Sequence, residues 1–211
     1  MTPDFTSFKS ACGRFGLSLT EDRFALLCHY ADLLLDWNQR VNLISRKDTS
    51  RILSYHVIDS LAAAQLIPAD ARCTDVGSGA GLPGIPIAIV RPDIHMTLVE
   101  STKKKCLFLD HCRLELKLAN IEVACSRAEE LDPLACDIVL SRLTGPLRRT
   151  LKHLTRHSKP GGSIVLYKNP SAAEEPAGQL LKKLDLAVAR TLDIVLPLTS
   201  IPRRFVIIRR S

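Results

Sequence analysis

The residues best suited to chemistry stand in one run of ten, Asp75-Val76-Gly77-Ser78-Gly79-Ala80-Gly81-Leu82-Pro83-Gly84. Glycines in such a run permit φ > 0 and leave no Cβ between a ligand and the backbone amides, as a cofactor-cradling turn requires. Both G-x-G-x-G (from Gly77, through Gly79 and Gly81) and G-x-G-x-x-G (from Gly79) can be read in it. The turn alone therefore does not separate S-adenosylmethionine from NAD. Glu100 follows one structural unit later, where a carboxylate accepts hydrogen bonds from both hydroxyls of a ribose; dinucleotide enzymes use the same device. Asp75 and the Ala128-Glu129 pair are harder to place in a dehydrogenase. They suit a site that holds a sulfonium, with a methionine tail on one side and an adenine on the other. Glu129 also has a plainer reading, a solvated acid at a helix start with Glu130 beside it.

Three further positions could act on a substrate. His56 and Asp59 lie three apart, on one face of a helix, and can close a pocket. A buried, satisfied histidine explains His56 almost as well. Lys168 ends a strand at the edge where ligands bind, so it can meet a phosphate. Arg142 follows another strand, and an ion pair with Asp75 or Glu129 is its structural alternative.

The surrounding pattern supplies the elements that would position these groups. Residues 1–70 read as helical: Thr20 caps a helix with Glu21 and Asp22 in its first turn, and Phe24, Leu27, Ala31, Leu34 and Leu35 form one stripe. A second helix is expected from about Asp48 through Leu66. From Ala71 the rhythm changes to short β-rich runs, Cys73–Val76, Met96–Glu100, Ile121–Cys125, Asp137–Ser141 and Ser163–Lys168. A helix is expected from Lys103 to Leu118, its apolar set including Cys106, Leu107, Leu109, Leu114, Leu116 and Leu118. Strands alternating with helices predict a parallel sheet. The last pair, Ala187–Leu196 and Arg204–Ile208, is joined by a connector too short for a parallel crossover and should be antiparallel. The expected α/β architecture is thus the Rossmann-like class I methyltransferase plan: seven strands, mostly parallel, an antiparallel C-terminal strand, and an N-terminal helical extension. Residues 1–70 would be that extension, packed on a 71–211 core as one globular unit.

Composition narrows the partners. No apolar run approaches the ~18 residues of a membrane span, and Met1 to Ser10 lacks a basic apolar signal, so the chain is expected in the cytoplasm. Seven cysteines without C-x-x-C predict buried, reduced thiols, and His153 and His157, without a third ligand, predict no metal site but solvated or phosphate-facing imidazoles. The net charge of +7 is unevenly spread. Residues 71–211 hold 22 basic against 14 acidic groups; 142–168 hold seven Lys or Arg, and 203–211 hold four Arg, with no acid in either stretch. Clustering of this kind predicts a polyphosphate partner.

The sequence resembles the small-subunit rRNA guanine-N7 methyltransferases, the RsmG or glucose-inhibited division protein B family. The resemblance is carried by Trp37-Asn38 with Asn42-Leu43, His56-x-x-Asp59-Ser60-Leu61, Asp75 through Pro86, Leu98-Val99-Glu100-Ser101, Lys103-Lys104, Arg127-Ala128-Glu129 and Ser141-Arg142. It implies that Gly77, Leu82, Ala128, Glu129 and Arg142 line the cofactor and substrate pocket. Glu100 would hold the ribose, with Ser101 and Thr102 beside it. It also implies 16S rRNA, in the small subunit or an assembly intermediate, as the acceptor, and a monomer as the acting form. The chain departs from the family pattern at Tyr55, where Arg is usual, at Leu143 (Ala), at Asn169 (Gly) and at Phe205 (His).

Position 7 of guanine carries a free in-plane lone pair, so no proton must leave before attack and no dedicated general base is expected. The residues after the fourth strand, Ser141-Arg142-Leu143-Thr144, agree: they lack the Asn/Asp-Pro-Pro-aromatic element that serves exocyclic amines. Arg142 would then bind O6, a phosphate or the cofactor carboxylate, with His56 and Lys168 positioning the substrate. Competing readings are an NAD(P) oxidoreductase, a non-catalytic RNA-binding assembly factor on the same fold, and a methyltransferase of a protein or small molecule.

Overall fold

A computed structural model of the chain describes residues 3–142, 147–171 and 178–210. Two helices open it, α1 (Phe5–Gly13) and α2 (Glu21–Asn38), followed by a 3₁₀ turn (Arg46–Arg51), a π-helical turn (Ile52–Val57), α3 (Ile58–Leu61) and another 3₁₀ turn (Ala64–Leu66). The alternating part then runs β1 (Arg72–Val76), α4 (Gly84–Val90), β2 (His95–Glu100), α5 (Lys103–Glu115), β3 (Ile121–Cys125) and β4 (Cys136–Ser141). It ends with α6 (Leu147–His157), β5 (Ser158–Lys168), α7 (Gly178–Lys183), β6 (Leu186–Val195) and β7 (Pro202–Arg210).

The seven strands form one sheet in the order β3-β2-β1-β4-β5-β7-β6. β1 to β5 pair in parallel, whereas β7 pairs antiparallel with both β5 and β6. This is the expected class I methyltransferase plan. The order reverses between β1 and β4, and an open parallel sheet has its crevice outside the carboxyl ends of the strands at that point. Asp75 lies opposite both Leu98 and Leu140, so it stands at that end of the central strand.

The helical segment before β1 shares the core with the sheet: Phe8, Leu27, Tyr30, Leu34, Ile58 and Leu61 pack in one buried cluster with Ile85, Leu98, Leu140 and Tyr167. Thr20 caps α2 as expected, its Oγ1 accepting from Arg23 N at 3.3 Å. The apolar stripe of α2 shifts by a fraction of a turn: Tyr30 is buried, and Leu35 is 38% exposed. The helix expected from Asp48 to Leu66 is broken into 3₁₀, π and α turns. A π turn carries an extra residue and re-phases the chain; here it turns His56 and Asp59 inward together, and both are buried.

Two more expectations need correction. On α5, Cys106, Phe108, Leu109 and Cys112 are buried, while Leu107 and Leu114 lie on the opposite side and are exposed. At 100° per residue the long leucine list spans more than one face. The cysteines are not all free thiols either. Cys106 and Cys125 are joined, with Cα atoms 5.7 Å apart, because α5 begins directly over the end of β3. Cys12, Cys73, Cys112 and Cys136 are free and buried, and burial pushes their thiols up. No described helix is long and apolar enough to cross a membrane.

Candidate active site

The turn after β1 is built as its glycines require. Gly77, Gly79 and Gly81 have φ of 76°, 57° and 80°. At Gly81 a Cβ would stand 2.3 Å from Ile85 Cδ1, so strain and crowding both demand glycine there. The turn hangs from β2, since Val99 O accepts from Gly77 N at 2.8 Å and from Ser78 N at 3.1 Å. Leu82 is buried in it.

Glu100 ends β2 and is 7% exposed. Its Oε2 accepts from Gly79 N at 3.0 Å and its Oε1 from Thr102 N at 2.8 Å. One carboxylate thus ties the glycine turn to the start of α5, and each oxygen keeps lone-pair capacity for another donor. Ser101 and Thr102 are exposed beside it.

Asp75 is fully buried. Its Oδ2 accepts from Gly84 N at 3.0 Å, and its Oδ1 has no partner. Burial pushes its carboxyl up to about 7, against the opposing pull of the Gly84 hydrogen bond and of the Arg142 charge. A buried acceptor without a donor is costly. A cationic ligand head in the crevice would satisfy it, so the residues present fit a methionine-tailed sulfonium nucleoside.

Ala128 and Glu129 sit in a turn, Arg127 O accepting from Glu130 N at 3.0 Å; no helix starts there, so Glu129 is not a helix-start acid. His157, expected as solvated or phosphate-facing, is completely buried. It closes α6 just where the chain enters β5, and its Nε2 lies 2.8 Å from Ala128 O. Arg156 Nε also donates to Leu131 O at 3.0 Å, so α6 holds the turn from two points. These contacts were missed because they join segments about thirty positions apart without a local pattern.

Across the crevice, Arg142 leaves β4 and meets neither Asp75 nor Glu129 as an ion-pair partner. Its Nη2 lies 3.2 Å from His56 Nδ1, and its Nη1 lies 3.4 Å from Asp59 Oδ2. Burial, then the Arg142 charge, depress the His56 imidazole to about 4. His56 is therefore neutral near pH 7 and accepts at Nδ1, with its proton on Nε2 toward Asp48 Oδ2 at 3.6 Å. Asp59 is fully buried and holds Arg203 in a fork. Lys168 ends β5 one strand further out, opposite Arg204. Leu143 and Thr144 lie outside the described residues.

The sequence also gave no warning of Tyr30, whose hydroxyl donates to Ala80 O at 2.7 Å and fastens α2 to the glycine turn. Tyr167 similarly donates to Ser60 O at 3.0 Å, tying β5 to α3. Among the described residues, no group of three or more His, Cys, Asp or Glu is placed to hold a metal ion.

The sheet order, the glycine turn at its switch point and the acid ending β2 define a class I methyltransferase. Likeness to solved structures agrees on the fold. A SAM dependent methyltransferase from Aquifex aeolicus superposes with a TM-score of 0.58 at 18% identity, covering 78% of this chain and 94% of that one. The precorrin-6y C5,15-methyltransferase from Geobacter metallireducens gives 0.52 at 18% identity, over 80% and 90%.

Sequence relatives are more specific. The family model described as rRNA small subunit methyltransferase G matches residues 23–194. The Ribosomal RNA small subunit methyltransferase G of Laribacter hongkongensis is 41% identical over 191 residues, 90% of either chain. Its namesake in Chromobacterium violaceum is 38% identical over 199 residues, 93% of either chain. The chain belongs to the rRNA small subunit methyltransferase G family.

Proposed function

We propose that this protein transfers a methyl group from S-adenosylmethionine to the N7 of a guanine in 16S rRNA, presented in the small ribosomal subunit or an assembly intermediate. It would act as a cytoplasmic monomer. The observation that carries this reading is the fully buried Asp75, whose Oδ1 lacks a donor at the mouth of the glycine turn.

When bound, S-adenosylmethionine supplies an electrophilic methyl group on a positively charged sulfur. Asp75 accepts from the ammonium of its methionine tail. Gly77, Gly79 and Gly81 give it close approach, and Leu82 packs against it. Glu100 accepts from the ribose hydroxyls, while Ser101, Thr102, Ala128 and Glu129 border the adenine side.

The chain's remaining work is positioning, which supplies most of the rate in a displacement of this kind. Carboxylates around the crevice are already engaged: Glu100 with two amides and Asp59 with two arginines. His56, depressed to about 4, is a weak base and orients Arg142 instead. An acceptor with a lone pair and no proton to lose, such as guanine N7, fits such a site. Arg142 donates to O6 of that base and leaves N7 free, and Lys168 meets a phosphate.

The test is transfer of a tritiated methyl group to small subunits, naked rRNA and bulk protein, followed by mass spectrometry of nuclease fragments from a deletion strain. One guanine losing its N7 methyl in that strain is the expected result. Label confined to protein, or absent throughout, overturns the reading.

A further inference from the structure

Asp59 is completely buried, and two guanidiniums reach for it. Arg203 of β7 takes both oxygens, Nε to Oδ1 at 2.6 Å and Nη2 to Oδ2 at 2.9 Å. Its position is fixed twice more, by Nη1 donating to Lys168 O at 3.3 Å and Nη2 to Tyr55 Oη at 3.4 Å. Arg142 reaches the same carboxylate only end-on, with Nη1 3.4 Å from Oδ2 and no hydrogen bond made by that atom. An Arg beside a carboxylate normally closes onto it as a fork of two parallel hydrogen bonds. Here that fork is already taken.

The charges point the same way. Two guanidiniums share one carboxylate while His56 is neutral, so the cluster carries one positive charge in excess. Arg142 therefore keeps donors and charge for an incoming acceptor.

We propose that Arg203 is a positioning residue for methyl transfer: by occupying both oxygens of Asp59 it keeps Arg142 from closing onto that carboxylate and so leaves the Arg142 guanidinium available to the acceptor base. The inference rests on the proposed rRNA methylation. Arg203 lies 61 positions beyond Arg142 in the sequence, and β7 brings the two together only because it inserts next to β5.

The experiment compares wild type, Arg203→Met, Arg142→Ala, the double variant, Arg203→Lys and Arg203→Met/Asp59→Asn on small subunits lacking the modification. It measures kcat, KM for the subunit, and S-adenosylmethionine affinity by calorimetry, with thermal melts as a folding control. Arg203→Met should lower kcat about tenfold or more, the scale of one lost transition-state hydrogen bond, with cofactor affinity and KM within about twofold. The double variant should be no slower than Arg142→Ala alone, since both changes remove the same interaction. Asp59→Asn should restore part of the kcat lost in Arg203→Met, because an amide is a poor trap for a guanidinium. Arg203→Lys, which grips a single oxygen, should lie between wild type and Arg203→Met. Additive losses, a deficit confined to KM, or wild-type kcat in either Arg203 variant overturns the proposal. Wild-type protein that leaves the subunits unlabelled would instead overturn the function on which it rests.

Discussion

Cofactor binding should depend on pH through Asp75. Burial holds its carboxyl near 7 in the unliganded protein, whereas an unperturbed aspartate titrates near 4. Only the ionised form attracts a cationic tail. The apparent dissociation constant should therefore scale as one plus ten raised to the difference between that pKa and the pH. Between pH 5.5 and pH 7 affinity should tighten about 15-fold, and binding at pH 7 should release roughly half a proton. Two other groups stay out of this window: His56 is depressed to about 4, and an α-amino group titrates near 7.7–8.0. Stability runs the opposite way. The folded pKa lies above the unfolded one, so the contribution of Asp75 to stability is whole below pH 4 and is lost as pH rises through 7. Asp75→Asn keeps an acceptor for Gly84 N and carries no charge, so it should melt above the wild type at pH 8 while binding the cofactor weakly and without pH dependence from 5.5 to 7. Calorimetry in buffers of different ionisation enthalpy reads both the affinity and the proton. Equal wild-type affinity at the two pH values, or the same slope in Asp75→Asn, would refute the reasoning.

Glu100→Ala should cost about 1.5–3 kcal/mol of cofactor binding, the scale of a charge-assisted hydrogen bond, which is roughly 10- to 150-fold in dissociation constant; unchanged affinity in calorimetry removes Glu100 from the site. Gly84→Ala would place a Cβ 2.3 Å from Leu98 Cδ2 and 3.1 Å from Asp75 Oδ2, so it should lose about 1–3 kcal/mol of stability by overpacking; an unshifted melting curve contradicts the packing around Asp75. Arg142→Lys keeps the charge but loses the planar fork, so kcat should fall about 10- to 100-fold with little change in subunit affinity, and a rise in KM alone would make Arg142 a phosphate contact.

The parallel sheet was legible because buried strands and the turns between them leave local marks: five apolar runs, a glycine turn after the first, an acid after the second. Glu100 could be picked out because a carboxylate at a strand end stands against the apolar rhythm around it. What stayed hidden is long-range pairing. Nothing near Arg203 announces that its partner is Asp59, 144 positions earlier. The re-phasing at Ile52–Val57 was invisible for a related reason: a π turn is selected by what His56 and Asp59 must reach, and those partners come from β4 and β7. The six-residue Cys106–Leu109 to Cys112 face of α5 failed differently, since a leucine-rich helix offers several apolar faces and packing chooses among them.

Long-range pairing also changes what the basic stretches can mean. The two acid-free stretches hold eleven Lys or Arg. Six of these are engaged within the chain: Arg142 with His56, Arg156 with Leu131 O, Lys159 with Asp137, Arg203 with Asp59, Arg204 with Asp193, and Arg210 with Thr155 O. At most five remain for phosphates, Lys152, Lys168 and Arg209 among them. Each neutralised phosphate contributes about −0.7 to −0.9 to the slope of log affinity against log salt. Eleven contacts would give a slope of roughly −8 to −10, and five would give roughly −3.5 to −4.5. Titrating small-subunit binding from 50 to 200 mM salt separates these values. A slope near −4, reduced by about one unit in Lys152→Gln and unchanged in Arg204→Gln, is the expected result. A slope near −9 would mean that the paired arginines abandon their internal partners when RNA binds, and that the charge pattern of the sequence describes the interface better than the folded chain does.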